Sequence, residues 1–280
     1  MQEIPNSKGS YGSVYSAYSI KDKKEICLKK IDINYMERQY ENNGYPSDSH
    51  LKDLNNEIKI LKLLSSNKNS VEYFGNYDIV KEKVIVMEKC DNNLEDFLKE
   101  QNKALSINEI KKLFTGLNKV FYIMYKNNII HRDLKLKNFL LKYTNDEKTE
   151  FIVKLSDYGI GKFLNETNKT FSGIKGTSET IAPELILEKV KIYDSRMDIF
   201  SLGIILYQLS HKLKHPFAEH NDNYSYIYFE YYEKDNFNIN FDSRIDNEDF
   251  KDLVKKMLKL NPNHRLTWEN YFAHPFFQSE

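Results

Sequence analysis

Residues 131–138, which read HRDLKLKN, place the strongest constraint on what this chain can fold into. Charged and amide side chains of both signs crowd into this run, and apolar residues adjoin it on both sides, Ile129 and Ile130 before it and Phe139 after it. Charges so close to core-type residues are costly unless each has a partner. A solvated charge run is the plain alternative, and a functional site is the hypothesis to test.

The bulk composition narrows the class of protein. The 280 residues carry a formal net charge of zero, so no general attraction to nucleic acid or to an anionic membrane is expected. The two cysteines, Cys27 and Cys90, form neither a metal-spaced pair nor a disulfide framework, which favours a reducing, intracellular setting, cytoplasmic or nuclear. No stretch resembles a signal peptide or a membrane span, so membrane insertion is not expected.

The first third of the chain has the pattern of a small sheet with one helix. Residues 10–33 alternate as strands do around a charged turn at 21–25. Residues 34–50 contain Gly and Pro and predict a surface loop. Residues 51–66 place apolar side chains at helical spacing. Two further strands are predicted, at 71–79 and 83–88.

Beyond residue 88 the pattern becomes mainly helical. Ser106 and Glu109 form a predicted capping box at the start of a long helix, and the stretch from Ile199 to Leu209 has the composition of a buried helix. A strand-rich segment followed by a helix-rich segment predicts an α+β protein with two lobes and a cleft between them.

Three short motifs have a joint interpretation as a phosphoryl-transfer site. In HRDLKLKN, Asp133 would serve as base and Lys135 as the cation beside the transferred group. Asn138 and, from LSDYGIGK, Asp157 are the oxygen ligand types that Mg²⁺ prefers. In KGSYGSV, the lid residues would let backbone N–H groups approach phosphate oxygens; they are Gly9, Ser10, Tyr11 and Gly12.

A lysine is also needed for the α- and β-phosphates, with a carboxylate to hold it. Lys29 lies on the strand after the lid, and Glu57 lies on the apolar stripe of the next helix. Lys30 is adjacent to Lys29 and competes with it for this role.

Taken in order, the chain resembles a eukaryotic-type protein kinase domain over nearly its whole length. The segments that carry the resemblance are KGSYGSVY, ICLKKI, EIKILKLL, IVMEKC, HRDLKLKN, DYG, GTSETIAPE, DIFSLG, NPNHRLT and HPFF. The resemblance implies a two-lobed kinase fold, in which residues 1–88 form a small antiparallel β-sheet lobe with one main helix and residues 89–280 form a larger, mainly helical lobe. Together they would make a single kinase domain.

The resemblance also implies a role for individual residues. Asp133 is the catalytic base, Asn138 and Asp157 are the metal ligands, and Lys29, preferred to Lys30 because ICLK fits the family's Val-Ala-Ile-Lys, forms the phosphate-holding pair with Glu57. ATP and Mg²⁺ are the implied cofactors. Adenine would lie against a set of residues implied by the same resemblance: Val14, Cys27, Met87, Glu88, Cys90 and Leu140.

The resemblance further implies a serine/threonine kinase. Lys135, together with Thr177 of GTSETIAPE, is the pattern of that class, so protein substrates with Ser or Thr acceptors are expected. Glu184 resembles a buried glutamate paired with Arg265, and Asp198 resembles a residue that supports the catalytic loop. Phosphate on the segment 157–184 would pair with Arg132; the candidate acceptors there are Thr167, Thr170 and Ser172.

Several positions depart from the family pattern. Ser7 stands where the lid has its first glycine, only six residues precede it, and Tyr158 replaces the usual Phe. The first strand is therefore expected to be stunted, or the chain to be a fragment. These departures keep open a pseudokinase, a nucleotide-binding or scaffolding module without transfer, and more remotely a small-molecule kinase. A regulatory partner is not identified by the sequence.

Overall fold

The computed structural model describes residues 2–3, 12–45, 48–164, 176–189, 194–217, 224–232 and 237–278. The chain divides into two compact units. The first contains Met1–Asn92 and Leu140–Gly159, and the second contains Asn93–Phe139 and Ile160–Glu280. Residues 140–159 thus group with the first unit, whereas the sequence-based division places them in the larger lobe; the division at residue 88 remains a proposal.

An antiparallel five-stranded sheet dominates the first unit, in the order β1-β2-β3-β5-β4. The predicted charged turn connects β2 to β3, and Gln2 and Glu3 pair with Ser16 and Tyr15 of β2. The expectation of a short first strand involves residues outside the described ones. The strands of this sheet are β1 (Gln2–Glu3), β2 (Gly12–Ser19), β3 (Lys24–Asp32), β4 (Tyr73–Ile79) and β5 (Glu82–Glu88).

The prediction of a loop over residues 34–50 is wrong in its first half, where α1 spans Ile33–Asn42. Asp32 caps the helix by accepting a hydrogen bond from the Tyr35 N–H, and Met36 and Tyr40, one turn apart, are buried. The Gly and Pro that indicated a loop lie after the helix, where they do not interrupt it. Burial of these two side chains on one face stabilises the helix, although the mostly polar composition of the segment did not indicate one.

The predicted main helix is confirmed as α2, Ser49–Leu64, two residues earlier at each end than expected. Its buried face has helical spacing, and it carries one charged member among apolar ones. That member is Glu57, with Leu54, Ile58, Leu61 and Leu64 around it.

The second unit is built mainly from helices. Ser106 and Glu109 form the predicted capping box at the start of α4, and nearly every side chain of α6, from Met197 to Ser210, is buried. The helices are α3 (Leu94–Gln101), α4 (Ile107–Lys126), α5 (Pro183–Ile186), α6 (Arg196–Ser210), α7 (Tyr224–Tyr231), α8 (Glu248–Met257), α9 (Trp268–Phe272) and α10 (Pro275–Gln278).

Short strands complete the architecture, and an antiparallel-sheet part with a mainly helical part confirms the predicted α+β class. None of the helices in the described part of the chain combines the length and the apolar character that crossing a bilayer requires. The short strands are β6 (Asn92–Asn93), β7 (Ile129–Ile130), β8 (Phe139–Tyr143), β9 (Phe151–Leu155) and β10 (Lys162–Phe163).

Candidate active site

In the first unit, one lysine is held by two carboxylates. The Nζ of Lys29 lies 2.6 Å from Oε1 of Glu57 and 2.9 Å from Oδ1 of Asp157. The neighbouring Lys30 instead pairs with Glu82, at 3.0 Å. Successive side chains of a strand point to opposite faces of the sheet, and this alternation separates the two lysines. The contact predicted between Lys29 and Glu57 is therefore present.

The three charges do not balance, since two carboxylates surround one ammonium. Burial opposes the charge on Lys29, but Asp157 and Glu57 outweigh it and hold the pKa of Lys29 above its ordinary value. The Glu57 side chain is 4% exposed and that of Asp157 is 44% exposed. The cluster thus has one more carboxylate than ammonium, and burial raises the pKa of the Glu57 carboxyl. Its most accessible oxygens belong to Asp157, and carboxylate oxygen is a ligand type that suits a divalent cation.

The backbone just before Asp157 is held by hydrogen bonds between residues 69–71 and β9. Asn69 and Val71 exchange hydrogen bonds with Leu155 on β9, at 2.8 Å and 3.0 Å, and the Asn69 side chain donates to the Val153 carbonyl at 2.8 Å. Asp157 follows two residues later with φ of +59°, a left-handed conformation that Asp tolerates better than most residues. These hydrogen bonds and the left-handed turn together place the Asp157 carboxylate beside Lys29.

The hydroxyl of Tyr158 has the partner that its burial demands. It lies 3.0 Å from the Ser70 hydroxyl and 3.3 Å from the Leu155 carbonyl, and both Tyr158 and Ser70 are fully buried. Burial raises the pKa of Tyr158, so the phenol stays protonated and can donate. Tyr158, which replaces the usual Phe, is thereby hydrogen-bonded to the same two segments, residues 69–71 and β9.

The predicted adenine-contacting residues lie on the first unit's strands and the segment that follows them. Cys27 stands opposite Met87 in the ladder between β3 and β5. The backbone N–H of Glu88 donates to the Glu72 carbonyl at 2.9 Å and is therefore not available to a ligand. Burial raises the pKa of Cys27 to about 11 and that of Cys90 to about 12, which suits packing rather than nucleophilic chemistry.

The lid is described only in part. Gly9, Ser10 and Tyr11 lie outside the described residues, whereas Gly12 begins β2 opposite Ile31. A Cβ atom at Gly12 would come within 2.0 Å of the Lys30 carbonyl oxygen, so a side chain does not fit there. This steric requirement accounts for one of the two glycines that the sequence analysis singled out.

In the second unit, the Asp133 carboxylate accepts hydrogen bonds from a cation and a hydroxyl. Lys135 Nζ donates to Oδ2 at 2.8 Å, and the Thr177 hydroxyl donates to Oδ1 at 2.6 Å. Lys135 also lies 2.9 Å from the Thr177 hydroxyl, which closes a triangle. Asn138 donates its amide to the Asp133 carbonyl at 2.8 Å. That bond and a longer one of 3.4 Å to Asp133 Oδ2 hold the Asn138 side chain beside Asp133.

Asp198 holds the chain just before Asp133. Its two carboxylate oxygens accept the backbone N–H groups of His131 and Arg132, at 2.7 Å and 2.9 Å. Asp198 is 1% exposed; burial raises its pKa, while His131 and Arg132 act in the opposite direction. Arg132 has φ of +68° in this turn. The left-handed turn places Asp133, whose side chain is 14% exposed, directly after the buried His131 and Arg132.

Close approach of the backbone explains a glycine near the same turn. Gly176 has φ of +125°, and a Cβ atom there would lie 2.6 Å from the Arg132 carbonyl oxygen. The predicted phosphate acceptors Thr167, Thr170 and Ser172 lie outside the described residues.

Another predicted pair is buried deep in the second unit. Both terminal nitrogens of Arg265 donate to Glu184, each at 2.8 Å, and the two side chains are 0% and 1% exposed. Arg265 also donates to three backbone carbonyls and its guanidinium lies 4.9 Å from the Phe200 ring centroid. The pair is thus fully satisfied and serves structure.

Comparison with known proteins decides the family. A family model described as "Protein kinase domain" matches residues 7–277. The chain belongs to the protein kinase family. The predicted family resemblance is thereby confirmed, and the relatives below bear names of serine/threonine kinases.

A probable serine/threonine-protein kinase nek3 from Dictyostelium discoideum is 32% identical over 96% of this chain and 22% of that protein. The serine/threonine-protein kinase TIO from Arabidopsis thaliana is 28% identical over 96% of this chain and 18% of that protein. The serine/threonine-protein kinase TAO2 from Xenopus laevis is 29% identical over 97% and 24%. This kinase-family chain therefore spans less than a quarter of the length of these relatives.

Sequence reasoning missed two side chains near the kinase-family cluster. Ser70, the partner of Tyr158, lies 88 residues away along the chain. Tyr40, which contacts the helix that carries Glu57, stands in the segment predicted as a loop. Met36 and Tyr40 one turn apart are the signal for the missed helix, whereas nothing local indicates Ser70.

Proposed function

We propose that this chain is an ATP- and Mg²⁺-dependent protein serine/threonine kinase, which transfers the γ-phosphoryl group of ATP to Ser or Thr hydroxyls of protein substrates. Membership of the protein kinase family and the names of the relatives support this proposal. The observation that carries it is the hydroxyl that Asp133 binds.

The Thr177 hydroxyl donates to Asp133 Oδ1 at 2.6 Å while Lys135 contacts both groups. A substrate hydroxyl bound as Thr177 is bound would have its proton directed at a carboxylate and its oxygen beside an ammonium. Asp133 would orient the nucleophile and accept its proton, and Lys135 would stabilise the charge that develops on the phosphoryl oxygens.

The donor types fit the implied cation. Asp157 supplies a partly exposed carboxylate and Asn138 an amide oxygen, which are ligands that Mg²⁺ accepts alongside phosphate oxygens and water. The bound ion would neutralise charge on the phosphates.

The remaining proposed residues bind and orient nucleotide. Lys29, held by Glu57, would contact the α- and β-phosphates. Val14, Cys27, Met87, Glu88, Cys90 and Leu140 would surround adenine. An intracellular compartment, cytoplasmic or nuclear, is part of this proposal, and the two free thiols support it.

The test is phosphoryl transfer from labelled ATP to a generic protein substrate, with the wild-type chain beside Asp133→Asn. We expect the substitution to lower turnover about a hundredfold or more, since the amide cannot accept the proton. Asp246→Asn, an exposed loop position, is the matched control and should transfer normally. Label should appear on serine and threonine. Nucleotide binding by a wild-type chain that transfers nothing would refute the proposal in favour of a pseudokinase.

A further inference from the structure

The helix α1 is anchored at its start and on its buried face. The Ile33 N–H donates to the Lys81 carbonyl at 2.9 Å, which attaches the first turn to the connection between β4 and β5. Met36 is 3% exposed and Tyr40 1% exposed. Because its first turn is bonded to the connection between β4 and β5 and its buried face ends at Tyr40, α1 links the sheet to the residues that Tyr40 contacts.

Tyr40 touches the first turns of α2. Its hydroxyl donates to Asp53 Oδ2 at 2.8 Å, and its ring packs edge-on against His50, with centroids 6.2 Å apart. The Tyr45 ring lies 5.3 Å from it on the other side of the bend after α1. Tyr40 therefore joins α1 to α2 through one hydrogen bond and one ring contact, and it also packs against the connection between the two helices.

The start of α2 depends on such contacts. Asp48, which precedes the helix, gives no capping hydrogen bond to the described first turn. A helix without a side-chain cap frays more readily at that end. The Asp53 carboxylate thus provides a tertiary hydrogen bond in the second turn of α2, from the Tyr40 hydroxyl of α1.

Asp53 and Glu57 are four residues apart, so they lie on neighbouring positions of one helix face, about 6 Å apart along the axis. Glu57 uses that face to reach Lys29 at 2.6 Å. A rotation of α2 that withdrew Glu57 from Lys29 would also withdraw Asp53 from Tyr40. The two contacts therefore favour the same orientation of the helix.

We propose that Tyr40 is a positioning residue, whose hydroxyl holds α2, through Asp53, in the orientation that keeps Glu57 on Lys29. The consequence for turnover rests on the proposed kinase function, whereas the consequence for Lys29 does not. Loss of the hydroxyl lets α2 turn, and Glu57 then withdraws from Lys29, which it contacts at 2.6 Å in the wild-type chain.

The test compares Tyr40→Phe with the wild-type chain by two readouts. The first is the rate at which acetic anhydride acylates Lys29 at pH 8, followed by peptide mass spectrometry with the exposed Lys119 as internal reference. An amine that Glu57 no longer holds is more accessible to the reagent, so we expect Lys29 to react about threefold to tenfold faster, the fold-change that corresponds to one lost hydrogen bond. The second is kinase turnover, expected to fall by a similar factor in kcat.

Matched variants separate the hydroxyl from general damage. Tyr35→Phe, on the exposed side of the same helix, should change neither readout. Asp53→Ala should behave as Tyr40→Phe does, and the double variant should be no worse than either single one, because both remove the same bond. Asp53→Asn keeps an acceptor oxygen and should restore most of the wild-type behaviour.

The two proposals fail in different ways. If Lys29 is labelled faster in Tyr40→Phe and Asp53→Ala than in the wild-type chain, but the wild-type chain transfers no phosphate, the positioning role is supported and the kinase function is overturned. Unchanged labelling and unchanged kcat in both variants, beside normal wild-type transfer, would overturn the positioning role alone.

Discussion

Two groups of charged side chains, one in each unit, differ in their burial and in the balance of their charges. In the second unit, Arg265 and Glu184 form a two-bond pair with side chains 0% and 1% exposed, and each charge is matched. In the first unit, Lys29 is shared between Glu57 and Asp157, the charges do not balance, and the Asp157 side chain is 44% exposed. We call the buried pair of Arg265 and Glu184 the sealed pair and the solvent-accessible group of Lys29, Glu57 and Asp157 the open cluster. The sealed pair has matched charges and stabilises one structure, whereas the open cluster has one more carboxylate than ammonium and can still bind a cation.

Breaking the sealed pair should give the largest effect. Arg265→Met leaves the Glu184 carboxylate buried without its partner, and we expect the free energy of unfolding to fall by about 3–5 kcal/mol. Urea denaturation followed by circular dichroism measures it. Replacing both members, as Glu184→Leu with Arg265→Met, should recover part of the loss, because no lone charge then remains buried.

Arg244 supplies the control for this prediction. It pairs with Asp242 on the surface with its side chain 73% exposed, and Arg244→Met should change the unfolding curve little. A similar loss in Arg244→Met and Arg265→Met would contradict the distinction between sealed and open pairs.

Breaking the open cluster should affect chemistry more than stability. Lys29→Met removes the cation proposed to bind the phosphates, and we expect turnover to fall about 10²–10³-fold. The free energy of unfolding should change less than in Arg265→Met, because Asp157 is exposed to water and the buried Glu57 can take up a proton. Steady-state kinetics and urea denaturation of one preparation measure both quantities.

Lys30→Met is the matched variant for Lys29→Met, since Lys30 is the next residue of the strand and pairs with Glu82 near the surface. Its turnover and its unfolding curve should match the wild type. Equal losses of turnover in the two variants would remove the reason for assigning the phosphate role to Lys29.

The smallest effect is expected at Tyr158, which adjoins the open cluster but is itself sealed. Tyr158→Phe removes the hydroxyl 3.0 Å from Ser70 and should lower the free energy of unfolding by about 0.5–1.5 kcal/mol. Chemical denaturation measures the change, and Tyr77→Phe, at a 63% exposed tyrosine, is the control. If Ser70→Ala adds fully to Tyr158→Phe, the two hydroxyls do not act as one contact.

Local pattern predicted the elements where it was strong and failed where it was weak. The capping box at Ser106 and Glu109 and the buried helix through Ile199 were both confirmed, because each is encoded within a few residues. The helix α1 was missed because Met36 and Tyr40 are a short apolar signal in a polar segment, and their burial comes from the packing of other elements.

The sequence by itself determined the order of the elements, the family, and the side-chain types that phosphoryl transfer requires, since these are written in short motifs and in their succession. Only the tertiary structure decided which groups meet: Asp157 lies 128 residues from Lys29, and Tyr158 lies 88 residues from Ser70. Spacing within one helix or strand fixes neighbours through a repeating backbone geometry. Contacts across such distances depend on how whole elements pack, which no local repeat encodes.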